Sequence, residues 1–187
     1  RQSNNLIVAV TADHGMHLGD HGIWSKQTLF DYSLRVPLLL KGPGVPRRTV
    51  IDAPVETSRL FATLTALAGL KTPPGIEPPL PPLGPHKNAA RSVYTRLCKN
   101  FESERYATCR RDRNAWPRVV ECASSERIWG RTLRTRRHRY TEYATSDGRL
   151  ISAQLYAYAG SDLDAAASGE RRNLAVGAEL AVWRARL

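Results

Sequence analysis

The sequence has few of the residues that mark several common protein classes. Only 3 of its 187 residues are cysteine, and 7% are aromatic. Cys98, Cys109 and Cys122 are too few and too widely spaced for a zinc module. Two of them would form a disulfide in a secreted protein, and the sequence favours no particular pair. Its longest apolar runs, Leu6 to Val10 and Val36 to Leu40, are far shorter than the ~18 residues of a membrane helix.

Methionine is almost absent. The single one is Met16, and the chain begins with arginine and shows no charged-then-apolar leader. We therefore expect a piece of a longer protein or a processed product, so that the localisation is unknown from these residues alone.

Acidic residues are scarce relative to basic ones. The chain has 28 Lys and Arg against 17 Asp and Glu, a net charge of +11, and residues 91–139 contain 14 of the basic residues and 5 of the acidic ones. Such a field attracts polyanions such as nucleic acid or sulfated sugar. The alternative is a solvated surface in an arginine-rich chain, since 23 of the 28 basic residues are Arg.

The first part of the chain has the pattern of an α/β unit. Asn5 to Thr11 is a short apolar run that predicts a strand buried on both faces of a parallel sheet. Val36 to Leu40 predicts a second strand, with Pro37 at its first residues or on an edge. Glu56 to Ala68 predicts an amphipathic helix, with Gly69 where a C-terminal cap belongs.

The later part has a different pattern. Residues 73–85 hold 7 of the 12 prolines and predict a stiff linker or a surface loop. Residues 128–143 and 150–158 alternate across a turn at Ser146 to Arg149 and predict antiparallel strands. Residues 175–187 are predicted to form a closing helix.

Polar residues are concentrated directly after the first predicted strand. Residues 11–26 contain two Asp, three His, three Gly and a Lys. Ligand sites in open α/β sheets lie at the carboxyl ends of strands. Asp13 and His14 would there supply an oxygen and a nitrogen to a divalent cation, although two ligands do not complete a site. The alternative is an ordinary turn with incidental histidines.

The same residues resemble the sulfatase family of the alkaline-phosphatase-like superfamily, closest to its iduronate-2-sulfatase-like members. The similarity is strong over residues 1–70, moderate over 128–175 and slight over 75–125. The motifs that carry it are Ala12-Asp13-His14-Gly15, Leu18-Gly19-Asp20-His21-Gly22, Trp24-Ser25-Lys26, Phe30-Asp31 and Arg35-Val36-Pro37-Leu38, then Arg134 to Tyr140, Gln154-Leu155-Tyr156 and Gly169 to Ala175.

This resemblance implies a chemical role for three residues. It makes Asp13 and His14 ligands of one calcium ion, shared with ligands outside this chain. It makes Lys26 the catalytic and substrate-binding cation that holds a sulfate oxygen. A further substrate-binding residue is expected at His17, which is substrate-facing or simply exposed.

Three further residues of the family pattern are expected to be structural. Asp20 and His21 are expected to shape the loop. Arg35 is expected to form a structural ion pair.

Two family features are missing. No Cys or Ser begins a Cys/Ser-x-Pro-x-Arg motif, from which the family makes its formylglycine nucleophile, and the early Asp-Asp metal ligands are absent. We therefore expect the C-terminal portion of a sulfatase, inactive alone, with the formylglycine outside this chain. Three units are expected. Residues 1–72 would be part of the catalytic domain, residues 73–127 a Pro-rich linker and basic insertion, and residues 128–187 a small C-terminal α+β subdomain.

The expected fold class is α/β: late strands and a helix of an alkaline-phosphatase-like sheet, then a small α+β subdomain with antiparallel strands. The expected reaction is hydrolysis of a sulfate ester, on a sulfated glycan if the basic stretch binds substrate. Its expected partners are that substrate and the N-terminal part of the parent protein, with neither nucleic acid nor a membrane span. The resemblance suggests a secreted, lysosomal or periplasmic protein. A phosphonate monoester or phosphodiester hydrolase and a non-catalytic polyanion-binding module are the alternatives.

Overall fold

The structure is a computed structural model that describes residues 5–24, 26–85, 87–97, 125–158, 170, 174 and 179–187. The three cysteines, the middle of the basic stretch at 98–124 and the start of the predicted closing helix at 175–178 lie outside the described residues. The described chain forms two antiparallel sheets with short helices between and after them.

The regular elements follow one another in a mixed order. They are β1 (Val8–Thr11), α1 (Asp31–Leu34), β2 (Leu38–Lys41), α2 (Leu60–Leu67), β3 (Ala89–Leu97), β4 (Arg127–Thr135), β5 (His138–Thr145), β6 (Leu150–Ala157) and α3 (Glu179–Arg184), with single 3-10 turns at Asp20–Gly22 and Thr57–Arg59.

The first sheet corrects the predicted direction of pairing of β1. Strands β1 and β2 pair antiparallel, from Val8 opposite Lys41 to Thr11 opposite Leu38, and all four residues of β1 are exposed. The apolar run was correctly predicted to be a strand, but apolar composition alone does not determine the direction of pairing. Pro37 directly precedes β2, as predicted for a residue that cannot donate to the ladder.

The second sheet has four strands in the order β3-β4-β5-β6, and every neighbouring pair is antiparallel. The predicted strands of residues 128–158 are thereby confirmed, as is the turn before β6, where Gly148 has a φ of 88°. Strand β3 was missed, because its alternation of polar and apolar residues is weak and it follows the proline-rich segment.

Helix α2 confirms the predicted helix. It follows the 3-10 turn at Thr57–Arg59 and is followed by Gly69, whose φ of 69° is the left-handed geometry of a C-terminal cap. Its buried residues are Ala62 and Thr63, whereas Leu60, Leu64 and Leu67, whose helical spacing predicted the apolar face, are only half-buried.

The proline-rich segment, residues 73–85, packs along α2. The buried Arg59 side chain donates a hydrogen bond to the carbonyl oxygen of Pro78 (2.8 Å), and the Leu80 amide donates to the Thr63 hydroxyl (2.8 Å). Leu80 is buried as well, so the loop is fastened along α2.

One face of the four-stranded sheet receives the chain between β1 and α1. Leu29 packs with Ile128 and Tyr143, and Ile23 and Phe30 pack with Tyr156.

Gly130 of β4 allows this packing. A Cβ atom there would lie 2.7 Å from a Leu29 methyl carbon and 2.8 Å from the Tyr143 ring. The polar loop after β1 is therefore held in place by packing against this face of the sheet.

Helix α3 packs against the same sheet. The Trp183 ring lies 5.1 Å from the His138 ring, and the Arg184 guanidinium lies 3.3 Å from the Glu142 carboxylate.

Candidate functional site

The loop between β1 and α1 folds back on itself in a tight turn. The Gly19 amide donates to the Ile23 carbonyl (2.9 Å), and the Ile23 amide donates to the Asp20 carbonyl (3.0 Å). Gly19 adopts a φ of 110° that side-chain-bearing residues rarely adopt. His21, at a φ of 55°, stacks on Phe30 with 4.2 Å between ring centroids.

Three predicted site residues come together at the surface. The Lys26 ammonium lies 2.7 Å from Nε2 of His14, and a carboxylate oxygen of Asp13 lies 3.3 Å from the same nitrogen. The Asp13 side chain is 85% exposed, whereas about a third of the His14 side chain is exposed.

The hydrogen bonds of His14 identify its tautomer. Its Nδ1 lies 2.8 Å from the carbonyl oxygen of Gly15, which only accepts, so Nδ1 carries the proton. Nε2 therefore has its lone pair free to accept from the Lys26 ammonium. A neutral ring with the lone pair on Nε2 is the form that binds a metal ion.

The donor set fits a cation. Nε2 of His14 and the Asp13 carboxylate face the same position, and that nitrogen already accepts from a positive group, the ammonium of Lys26. Within the described part of the chain, no group of three or more His, Cys, Asp or Glu is arranged for a metal ion. The described residues thus supply two donors, fewer than the six to eight that calcium takes.

His17 corrects the sequence prediction. It was expected to face substrate or solvent, but its side chain is fully buried. Its Nε2 lies 2.8 Å from the Thr28 hydroxyl, which in turn lies 2.7 Å from the Ser33 hydroxyl. The ring is therefore an internal support of the loop and does not reach a substrate in this structure.

The environment of His17 keeps its ring neutral. Burial, followed by the neighbouring His21, lowers the pKa of His17 from 6.5 to about 4. The rings of His21, Phe30 and Tyr32 all lie within 6 Å of it, centroid to centroid.

The predicted structural residues lie around this loop. Asp20 belongs to the turn and accepts, through its carboxylate, from the Leu18 amide (3.4 Å). His21 packs inside the turn, as described above. Arg35 follows α1 at the surface, where its amide donates to the Asp31 carbonyl (2.8 Å). Its predicted ion pair stays a prediction.

A set of buried charged residues behind the loop was not predicted to have a role. Asp31 of α1, Arg139 of β5 and Glu170 are buried, and Arg134 of β4 joins them. The sequence pointed to them only as parts of motifs, and it counted the two arginines among the surface charge. Because their charges are neutralised internally, they are not available to bind a polyanion.

Comparison with known proteins shows similarity to sulfatases. Residues 1–70 match the sequence model of the sulfatase family. The Mus musculus iduronate 2-sulfatase is 38% identical over 40% of this chain, and the match spans 18% of that protein.

Two solved structures share the fold over 96% of this chain. One is a 2-O GAG sulfatase, with a TM-score of 0.62 and 23% identity, of which 34% is covered. The other is a phosphonate monoester hydrolase from Silicibacter pomeroyi, with a TM-score of 0.62 and 24% identity, of which 32% is covered. The chain thus spans about a third of either solved chain.

Among the described residues, none of the helices has the length and apolar character needed to cross a bilayer. The family match lies on the segment that contains Asp13, His14 and Lys26, and the shared fold extends through the second sheet. Residues 1–70 are therefore similar to the sulfatase family, in a chain whose fold is shared with these two solved structures.

Proposed function

We propose that this chain forms the C-terminal portion of a sulfuric ester hydrolase. The observation that carries the proposal is the convergence of the Asp13 carboxylate, Nε2 of His14 and the Lys26 ammonium in one loop. Two groups that can bind a metal ion, next to the Lys26 ammonium, are suited to a sulfate ester, because its negative oxygens bind both a metal ion and an ammonium.

Asp13 and His14 are the residues that would hold the ion, which we propose to be calcium. The carboxylate is a hard oxygen ligand of the kind that calcium prefers, and the Nδ1–H···O=C bond to Gly15 fixes the ring that presents Nε2. When bound, calcium would supply charge stabilisation at the sulfate oxygens. The remaining ligands would come from outside this chain.

Lys26 acts on the substrate itself. Its ammonium donates hydrogen bonds to a sulfate oxygen and offsets the negative charge that builds on the sulfonyl and leaving oxygens. A lysine suits this role because its ammonium sits on a long flexible stem with three donors. It can therefore leave His14 for a substrate oxygen without moving the loop.

The nucleophile lies outside the chain. We propose a formylglycine, made from a Cys or Ser in the N-terminal part of the parent protein. A covalent mechanism of this kind splits sulfate transfer and sulfate release into two easier steps. The chain alone would then lack both the nucleophile and most of the metal ligands, so we propose that it is inactive by itself.

The substrate class that we propose is a sulfated glycan. The net charge of +11 favours a polyanionic substrate, and one structural neighbour is a 2-O GAG sulfatase. A secreted, lysosomal or periplasmic location, as the family resemblance suggests, would agree with such a substrate.

A phosphonate monoester or phosphodiester hydrolase is the second candidate, favoured by a structural neighbour with that activity and the same TM-score. The full-length parent protein distinguishes the two when its turnover of an aryl sulfate is compared with that of an aryl phosphodiester. We expect the sulfate to be preferred in kcat/KM. A preference for the phosphodiester would reject the sulfatase proposal, and turnover of neither would reject both.

A further inference from the structure

Helix α1 is anchored by a carboxylate that lies between two arginines. Asp31 accepts from Nε and Nη2 of Arg134, each at 3.1 Å, and from Nη2 of Arg139. Asp31 is 4% exposed and Arg139 is 1% exposed, so these bonds are shielded from water. The helix is therefore tied by its first residue to β4 and β5 of the four-stranded sheet.

Glu170 closes the arrangement from the other side. Its carboxylate accepts from Nε of Arg139 (2.7 Å), from the Tyr158 hydroxyl and from the backbone amide of Asp31 (2.9 Å). Glu170 is fully buried. Arg139 thus bridges both carboxylates with one fork of donors, a geometry that only a guanidinium provides. We call Asp31, Arg134, Arg139 and Glu170 the charge clamp.

The charge clamp is continuous with the candidate site through α1. The Gly15 amide donates to the carbonyl oxygen of Ser33 in α1 (2.9 Å), and Nδ1 of His14 donates to the Gly15 carbonyl (2.8 Å). The Gly15 backbone lies so close to α1 that a Cβ atom there would overlap the Tyr32 carbonyl oxygen. A shift of α1 would therefore shift Gly15, and with it the ring of His14.

We propose that Arg139 is a positioning residue of the site, which acts through Asp31 and α1 to aim Nε2 of His14 at the bound cation. The proposal rests on the function proposed above in one respect, the identity of the cation that Nε2 of His14 would bind. The orientation of the ring is a property of the chain and exists without turnover.

The energetics of buried ions favour positioning over stabilisation as the role of the charge clamp. Removing two carboxylates and two guanidinium groups from water costs about as much as their attraction returns, and apolar residues of similar size often serve stability equally well. Such a cluster does provide direction, because each hydrogen bond fixes a distance and an angle.

The test uses the full-length parent protein without added calcium, with histidine labelled with nitrogen-15, and reads the ring nitrogens of His14 by NMR. The ring-nitrogen signals of His14 are assigned as those that disappear in the His14→Gln variant. In the wild-type protein we expect one set of His14 ring signals, with a proton on the nitrogen that faces the Gly15 carbonyl, Nδ1. Arg139→Lys keeps the charge but cannot bond Asp31 and Glu170 in the same fork. We expect this variant to remain folded and to lose the single Nδ1–H signature of His14.

The matched control is Arg136→Lys. Arg136 lies three residues before Arg139 in sequence and pairs with Asp52 at the exposed surface (3.0 Å). Its replacement should leave the His14 signals unchanged. An unchanged His14 ring in folded Arg139→Lys would overturn the proposal, and so would an equal change in the control.

A second variant covers the case in which Arg139→Lys does not fold. Asp31→Asn, Arg134→Met, Arg139→Met and Glu170→Gln together remove all four charges of the charge clamp and leave none unpaired. We expect this quadruple variant to fold and to lose the His14 signature. Wild-type His14 signals in the quadruple variant, or loss of the sheet in both variants, would show that the charge clamp serves stability and not position. These readouts need no substrate, so their failure is distinct from failure of the aryl sulfate assay.

Discussion

The Lys26 ammonium and Nε2 of His14 lie 2.7 Å apart although the two residues are 12 positions apart in the chain. If His14 holds a cation as proposed, that ion and Lys26 would compete for the same nitrogen. Occupation of the site by a cation would release Lys26 toward the substrate.

Replacement of Asp13 and of Lys26 in the full-length parent should both abolish most activity, for different reasons. Asp13→Asn weakens a cation ligand, so excess calcium should recover part of the lost rate. Lys26→Ala removes a contact to the transition state and should cost about 2–4 kcal/mol in kcat/KM, which calcium does not restore. The measurement is aryl sulfate turnover across a calcium titration.

Lys41→Ala, at an exposed lysine that ends β2, is the control for the loss of positive charge and should retain full activity. Equal recovery of the Asp13 and Lys26 variants by calcium would contradict the roles assigned to them.

The buried ring of His17 should make the chain less stable in mild acid. Its folded pKa of about 4 lies below the unfolded value of 6.5, so between these values the unfolded chain binds more protons. The free energy of unfolding should therefore fall by about 3 kcal/mol as the pH drops through this window. His17→Gln keeps a hydrogen-bonding group near Thr28 but does not titrate. Chemical denaturation from pH 7 to 4 should show a flatter profile for this variant.

Thr28→Val separates the titration from the hydrogen bond. It removes the hydroxyl that contacts Nε2 of His17 and should lower stability at pH 7 by about 1–2 kcal/mol. The pH dependence should persist, since His17 is still buried. A wild-type pH profile in His17→Gln would show that other groups dominate.

Gly15→Ala should displace the loop from α1. The new Cβ atom would overlap the Tyr32 carbonyl oxygen, a backbone atom that cannot move aside alone. We expect a loss of about 2–3 kcal/mol in the free energy of unfolding. Gly75→Ala is the comparison: Gly75 has a φ of 81° and open space around it, so the cost should be about 1 kcal/mol of backbone strain. Equal costs would mean that the loop adapts to a side chain at residue 15.

The isolated chain should neither hydrolyse an aryl sulfate nor bind calcium tightly, and it should self-associate. Strand β1 is exposed along its whole length, and Leu6, Val10 and Leu39 are each more than half exposed. An apolar strand surface of this kind is prone to pair with other chains. Sedimentation velocity and calcium calorimetry of the purified chain test this expectation. Calcium-dependent turnover near the rate of the full-length parent would show that the active site is complete within these residues.

The sequence predicted the parts of the fold that depend on local pattern. Alternation across the turn at Gly148 identified β5 and β6, and helix formers followed by Gly69 identified α2. The direction of β1 was not predictable in this way, because an apolar run has the same composition in either kind of sheet.

For the candidate site, sequence motifs gave the right neighbourhood but not the burial of each residue. Asp13, His14 and Lys26 lie together in the structure, whereas their roles stay predictions. His17, only three residues from His14, is buried because Thr28 and Phe30, which follow it in the chain, pack against its ring. The partnership of Asp31 with Arg139 joins residues 108 apart, a contact that no local pattern reports.

The bond between the Asp31 amide and Glu170 has a consequence for how the protein is made. The two residues lie 139 positions apart in the chain. At 5–20 residues per second, roughly 7–30 s of synthesis separate the appearance of α1 from that of its last partner. Throughout that interval the loop with Asp13, His14 and Lys26 would be on a nascent chain without its anchor. We therefore expect the loop with Asp13, His14 and Lys26 to become ordered only after Glu170 has been synthesised.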